Sequence, residues 1–546
     1  MMPMNPPAEL PAVALAAIRP DEFLADIRTL ASDAFEGRAL GGRGEELSVE
    51  YIVGRFKEIG LQPGNPDGTY VQSVPIAGVD ARPSLTLTAG GERRALRYPD
   101  DFVASSARLV PEVRVEHSEI VFVGYGVVAP EYGWDDYKDV DVRGKTLLML
   151  VGDPPVPDPA DPSRLDETMF KGKAMTYYGR WTYKYEIAAR KGAAAAIIIH
   201  ETGPAGYPYS VTRSSWAKEC FVVNSPDKNM DAVPVRSWVT REVAETLLRG
   251  AGQDLEALKA AALRTDFRPV SLAGARADFV VQSTIRTFDS SNLLARLEGS
   301  DPARRDECIV YSAHWDHLGR INDAPNPPRI YHGAIDNASG VAAVLALARA
   351  FTALETPPAR SVLFMAPTAE ESGLIGAKYY AEHPLYPLSQ TLANLNIDGM
   401  NMWGRTRDIE NMVSGHSDLD DLLADAAARQ GRRVVPDTQP EKGMFYRADH
   451  FEFAKGGVPA MYTSAGKEVL GQPADFGQRK FDEYVGQHYH QPSDDVDPAW
   501  NLEGAMEDTA LLFEMGYRLA TGDAYPQWHD GDEFKPRRDA DLAAHS

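Results

Sequence analysis

The sequence predicts an α/β protein: a mostly parallel central sheet with helices on both faces, joined to a separate β-rich α+β module. Three observations carry this. From Asn292 onward, short apolar runs alternate with stretches of helical periodicity, the pattern of strand–helix–strand units. A chain of 546 residues exceeds one ordinary core, so two or three domains are expected. The block from about 118 to 285 has strand and helix signals of its own, without His, Asp and Glu at ligand spacing.

In chain order, residues 1–19 are rich in Pro and Ala and are expected to be flexible. A helix is expected from Pro20, where Phe23, Ile27 and Leu30 share a face and Asp21 is placed as a cap. A second runs over 48–59 (Val49, Ile52, Val53, Phe56) and stops at Gly60. Between them, the 34–38 and 41–44 stretches read as a tight surface loop, since no Walker lysine follows and no strand precedes. Alternation through 70–120 suggests short antiparallel strands, and residues 20–117 are assigned to a part packing on the main domain. The 118–285 block holds expected strands at 120–123, 145–151 and 193–198, and helices at 183–191 and 241–248.

The main domain, 286–525, reads as strand 307–313, helix 339–354, strand 361–366, helix 372–382 and strand 392–397. Helix 417–429, strand 458–463 and helix 501–520 follow, and 526–546 is a polar tail. A net charge of −23 repels nucleic acid and anionic membrane, so neither is expected as a partner. No apolar run reaches the ~20 residues that span a bilayer. The N-terminus has no basic stretch ahead of its weak apolar centre. The protein is expected to be cytoplasmic, or periplasmic or extracellular with an export signal removed. Cys220 and Cys308 read either as free thiols or as one disulfide.

The chemistry concentrates at strand ends. His314 follows an apolar strand and stands two residues before Asp316, so one ring nitrogen can meet a metal while a carboxylate fixes the other. Asp336 lies just before an Ala-rich helix, where alone it would read as a capping turn. Glu370 and Glu371 follow a strand and point to different sides, so they cannot share one role. Asp398 ends another strand, and His490 sits in a loop stiffened by Pro492, with Asp494 or Asp495 near enough to orient it. Each has a bland reading alone; their convergence in one α/β region points to a two-metal hydrolase.

In this order, HWDHLG, GAIDNASG, APTAEESGLIG, NIDGM and YHQPSDD resemble the co-catalytic zinc metallopeptidases, the family of bacterial leucyl aminopeptidases and glutamate carboxypeptidases. The 118–285 block resembles the protease-associated (PA) domain that many members carry as an insertion. The resemblance implies a three-layer α/β/α zinc-exopeptidase domain and two Zn2+ per chain, with Mn2+ or Co2+ as substitutes. His314 and Asp398 would hold one ion, Glu371 and His490 the other, and Asp336 would bridge. Glu370 would be the general base, Asp316 the partner behind His314, and the Asp336–Asn337 peptide cis.

The implied reaction is removal of N-terminal residues from a peptide substrate through a metal-bridging hydroxide. An oxyanion donor is expected from Tyr446, with Tyr489 as its competitor, and Arg447 is expected to meet a substrate carboxylate or to pair with Asp449 or Glu452. The alternatives are a glutaminyl-cyclase-like acyltransferase with one zinc, a carboxypeptidase of the glutamate carboxypeptidase type, or a catalytically dead binding homologue.

Overall fold

In the computed structural model, which describes residues 10–321 and 329–545, strand Cys308–Ser312 is buried along its whole length. Its alternating side chains serve two cores, as a strand covered on both faces requires. Cys308 and Val310 join Leu363, Met365, Tyr380 and Phe453 on one face. Tyr311 turns to the other, stacking on Phe364, meeting Phe351 and donating to the Leu512 carbonyl at 2.7 Å. Gly516 makes room for that phenol, because a Cβ there would collide with the Tyr311 hydroxyl.

The chain divides into two units, Met1–Val74 with Asp289–Thr438 and Arg447–Ser546, and Pro75–Phe288 with Gln439–Tyr446. In the first, the sheet runs Arg433–Pro436, Asp408–Asn411, Ala460–Ser464, Thr391–Asn396, Cys308–Ser312, Ser361–Ala366 and then the 293–297 end of a long strand. The pairs around Cys308–Ser312 are parallel, and the 293–297 segment and the Asp408–Asn411/Ala460–Ser464 pair are antiparallel. Helices Pro20–Leu30 and Glu503–Thr521 pack on helix Gly340–Thr352, whose residues apart from Arg349 and Thr352 are buried. The run Ala334–Thr352 has the length and mean hydropathy (1.3) of a membrane span, but 94% of that window is buried inside the protein, so its role here is that of a core helix.

The second unit has a mixed sheet. Strands Glu112–Phe122, Thr146–Leu150, Ala195–His200 and Val235–Thr240 are parallel neighbours, and Phe102–Ser105 closes the edge antiparallel. Helix Arg241–Gly250 starts on a Thr240 side-chain cap and helix Trp181–Arg190 covers the same core.

Several expectations are revised. The boundary expected at 118 falls within strand Glu112–Phe122, and residues 75–117 belong with the second unit. The strands expected to be short through 70–120 include a long one, Val71–Ala89, paired with Cys220–Val223 and Glu92–Ala95. Asp21 does not cap its helix: Pro20 is the first helical residue, and Asp21 pairs with Arg19 instead. Of the stretch expected to be flexible, residues 1–9 lie outside the described residues, while Ala12–Ala16 is helical with Ala14 buried. The tail contains helix Lys535–His545, anchored where the buried Arg538 donates to the Leu388 and Thr391 carbonyls. Cys220 and Cys308 are free thiols.

Candidate metal centre

Parallel neighbours end together, so the loops that follow them share one edge of the sheet. Ser312 is in register with Met365 on one side and Asn396 on the other. His314, Glu370 and Asp398 come from the three loops that follow. Ala369 precedes the two glutamates in a left-handed conformation (φ 55), which turns the chain sharply enough to aim them inward. Asp336 arrives from a kinked turn at the head of helix Gly340–Thr352, with a cis Asp336–Asn337 peptide. Asn337 ties that turn to the Asp398 loop: its amide donates to the Ile397 carbonyl at 2.9 Å and its carbonyl oxygen accepts from Gly399 N–H at 3.0 Å. His490 lies in a late turn at φ 57, a conformation that non-glycine residues adopt at a cost.

The five side chains converge. His314 Nε2 stands 3.3 Å from Asp336 Oδ1 and 3.4 Å from Asp398 Oδ1. His490 Nε2 stands 3.2 Å from Asp336 Oδ2 and 3.0 Å from Glu371 Oε2. Asp336 thus sends one oxygen to each trio. Donors bound to one small cation at ~2.0–2.1 Å in tetrahedral geometry lie about 3.3 Å apart, so these separations are those of coordination edges. His490 Nε2 is buried and makes no well-formed hydrogen bond to either carboxylate, so it points between them. The residues present fit two divalent cations held by a mixed N/O set.

Charge argues the same way. Asp336, Glu370, Glu371, Asp398 and Asp449 crowd one space, and the buried Arg38 guanidinium lies near enough to feel Asp336, Asp494, Asp316 and Glu371. Burial, with Asp398 and Glu371 adding like charge, pushes Glu370 well above the usual carboxylate range. Against burial, His314 and His490 hold Asp336 well below it. Burial and Asp336 push Glu371 up, yet His490 and His317 outweigh them and hold it at about 2. Burial lowers His490, but Glu371 and Asp336 raise it to about 10.

The supporting contacts differ in part from expectation. His314 Nδ1 meets the backbone oxygen of Asp316 at 3.1 Å, and the Asp316 carboxylate stands 3.7 Å away. That carboxylate accepts from Glu370 N–H at 3.0 Å and Glu371 N–H at 3.3 Å, so it organises the glutamate turn. Asp494 does not orient His490; it accepts from Ile335 and Asp336 N–H, each at 3.0 Å. Arg447 and Asp449 do not hydrogen-bond through the Arg447 Nε, and both Asp449 oxygens are buried without a hydrogen-bond partner among the described residues. Tyr489 is 44% exposed and stacks on the His490 ring at 3.9 Å. Tyr446 belongs to the second unit, where it is buried against Tyr177 and Phe445.

Arg38 is the residue sequence reasoning passed over. Residues 41–43 of the loop are exposed as expected, but its earlier part turns inward: Arg38 is 1% exposed and donates to the carbonyls of Trp315, Leu30, His332 and Gly333 at 2.7–2.8 Å. Burying a lone cation costs several kcal/mol, and hydrogen bonds from a charged donor, roughly 1.5–3 kcal/mol each, offset it. Gly37, at φ 69, leaves no room for a Cβ, which would strike the Gly319 and Tyr331 carbonyls. The glycine-rich pattern was the available signal, read without a reason for close approach.

Residues 292–513 match Peptidase family M28. Over 124 residues the chain is 31% identical to a vacuolar membrane protease of Meyerozyma guilliermondii, covering 22% of this chain and 11% of that protein. Over 111 residues it is 36% identical to a probable zinc metalloprotease of Pyricularia oryzae, covering 20% of each. The chain therefore aligns with only a tenth to a fifth of these relatives' length. Among solved structures, an aminopeptidase from Aneurinibacillus sp. strain AM-1 is 20% identical, covering 95% of this chain and 96% of that one at a TM-score of 0.48. The Bacillus subtilis zinc aminopeptidase BSAP is 18% identical, covering 95% and 98% at a TM-score of 0.42. The matched stretch, residues 292–513, spans all five motifs in their order.

Proposed function

We propose that this protein is a zinc-dependent exopeptidase, an aminopeptidase that removes N-terminal residues from peptides. The observation that carries the reading is Asp336, whose two oxygens face two separate pairs of donor atoms. His314 and Asp398 would hold one Zn2+, Glu371 and His490 the other, with Asp336 between them. Such a pair of cations supplies Lewis acidity, lowering the pKa of water toward 7 and polarising the scissile carbonyl. Glu370 lies 3.8 Å from His314 Nε2 and is not needed as a ligand. It takes the proton from the attacking water and passes it to the leaving amine. Tyr489 or Tyr446 donates to the oxyanion; Tyr489 has the support of belonging to the unit that carries the ligands. The unit Pro75–Phe288 is a PA-like insertion, supported by its own core and by the absence of metal-competent clusters from its described residues.

The test is a panel of aminoacyl-arylamides, N-blocked dipeptides and N-terminal glutaminyl peptides, assayed with chelator and after zinc readdition. The account expects cleavage only of substrates with a free amino terminus, lost with chelator and restored by zinc. Cleavage of N-blocked dipeptides, or cyclisation of the glutaminyl peptides with one ion per chain, would overturn it.

A further inference from the structure

His317 has no place in the ligand set above, yet it is buried beside it. It is 3% exposed, and its Nδ1 lies 2.7 Å from Glu371 Oε1. That separation is a hydrogen bond, shorter than the 3.0–3.4 Å edges among the proposed ligand atoms. Glu371 is therefore divided: Oε1 faces the His317 imidazole, and Oε2 faces His490 Nε2 at 3.0 Å. The terminal torsion of a glutamate is broad and two-fold, so nothing in the side chain itself holds one oxygen forward.

The imidazole is well placed to do so because it is fixed from behind. Its backbone N–H donates to the Arg38 carbonyl at 3.2 Å, and its ring edge lies beside Gly333, where a Cβ would strike both the ring and the Arg38 guanidinium. The ring meets His490 edge-on at 5.9 Å. Its Nε2 is buried with no hydrogen-bond partner among the described residues, so Glu371 is the ring's one hydrogen bond. Leaving a buried nitrogen unmet is costly, a cost that an apolar side chain in that place would avoid.

We propose that His317 is a positioning residue: its Nδ1–H holds Glu371 Oε1, so that Glu371 offers Oε2 alone to the cation on the His490 side. The proposal rests on the two-cation reading given above. A carboxylate so held is a one-oxygen ligand in a set orientation, and outer partners of this kind typically carry about 10–100-fold in metal affinity. The effect should be confined to one cation, because His317 makes no hydrogen bond to His314 or Asp398.

The test strips the full-length protein with chelator and titrates it with Zn2+ by calorimetry and with Co2+ by visible absorption. Wild type is compared with H317F and H317A, which lack a donor, and with H317N, whose amide can donate near the Nδ1 position. Two ions are expected in wild type. H317F and H317A should keep one of the two sites within about 2-fold and weaken the other about 10–100-fold, with an altered Co2+ spectrum at the weakened step, and H317N should recover most of the loss. Wild-type affinity at both sites in H317F and H317A, or an Asn variant no better than Ala, would overturn the proposal. Fewer than two ions in wild type would instead overturn the reading it rests on.

Discussion

His314 and Asp398 leave adjacent parallel strands within two residues of their ends, whereas Glu371 and His490 reach the same space from turns that contain left-handed residues at Ala369 and His490. The first pair is oriented by the sheet itself. The second depends on side chains distant in sequence: Asp316 under the glutamate turn, Asp494 joining the His490 loop to Asp336, and His317 on Glu371. The difference teaches that one half of such a centre is inherited from the fold and the other is assembled from loops. The loop half is where supporting residues matter most.

The largest effect should come from the residue common to both halves. Asp336→Ala is expected to lose both cations and to lower turnover by at least about 10³-fold, the scale of one lost electrostatic stabiliser; metal analysis after gel filtration measures the first. Retention of one ion in that variant would show that the halves are independent. Glu370→Gln separates chemistry from binding: it should keep both ions and lose about 10²–10⁴-fold in turnover, read by steady-state kinetics on the same metal-analysed sample.

The convergence of the sheet half was legible because apolar runs mark strands and the residues after them mark the catalytic edge. The pattern at 307–313, 361–366 and 392–397 placed His314, Glu370 and Asp398 directly, and the structure differs there by a residue or two. In the loop half the signal was uneven: Glu371 shared the strand-end position of Glu370, whereas His490 follows no strand and alone looks like any exposed histidine. Arg38, Asn337 and His317 act through backbone carbonyls and through contacts made across tens to hundreds of residues, which no local period encodes. The edge strands Asp408–Asn411 and Arg433–Pro436 were missed as well; four residues of mixed polarity carry little periodic signal.

A smaller effect distinguishes the two tyrosines. Loss of the oxyanion donor should cost about 10–100-fold in kcat with both ions retained, somewhat below the usual oxyanion-hole loss. Tyr489→Phe is expected to show it and Tyr446→Phe to show less. The reverse order would move the donor to the second unit.

Proton competition gives the mildest test and acts on the loop half. His490 sits at about 10 in the cation-free chain, so binding there must release a proton. Affinity at that site should rise with pH, by up to about tenfold per unit between ~6.5 and 10. The raised value also means that His490 stabilises the cation-free fold fully below its unfolded value of ~6.5, and that this contribution is lost as pH rises through about 10. Thermal melts in chelator should therefore lose that contribution over the same window in which stabilisation by zinc grows.

The most direct test of the centre is a count of ions bound by the stripped and reconstituted protein, in wild type, His314→Ala and His490→Ala. The account predicts two per chain in wild type and loss of the corresponding site in each variant, with the Asp336-linked partner weakened. A wild-type count of one or none, or two ions retained in both variants, would contradict it.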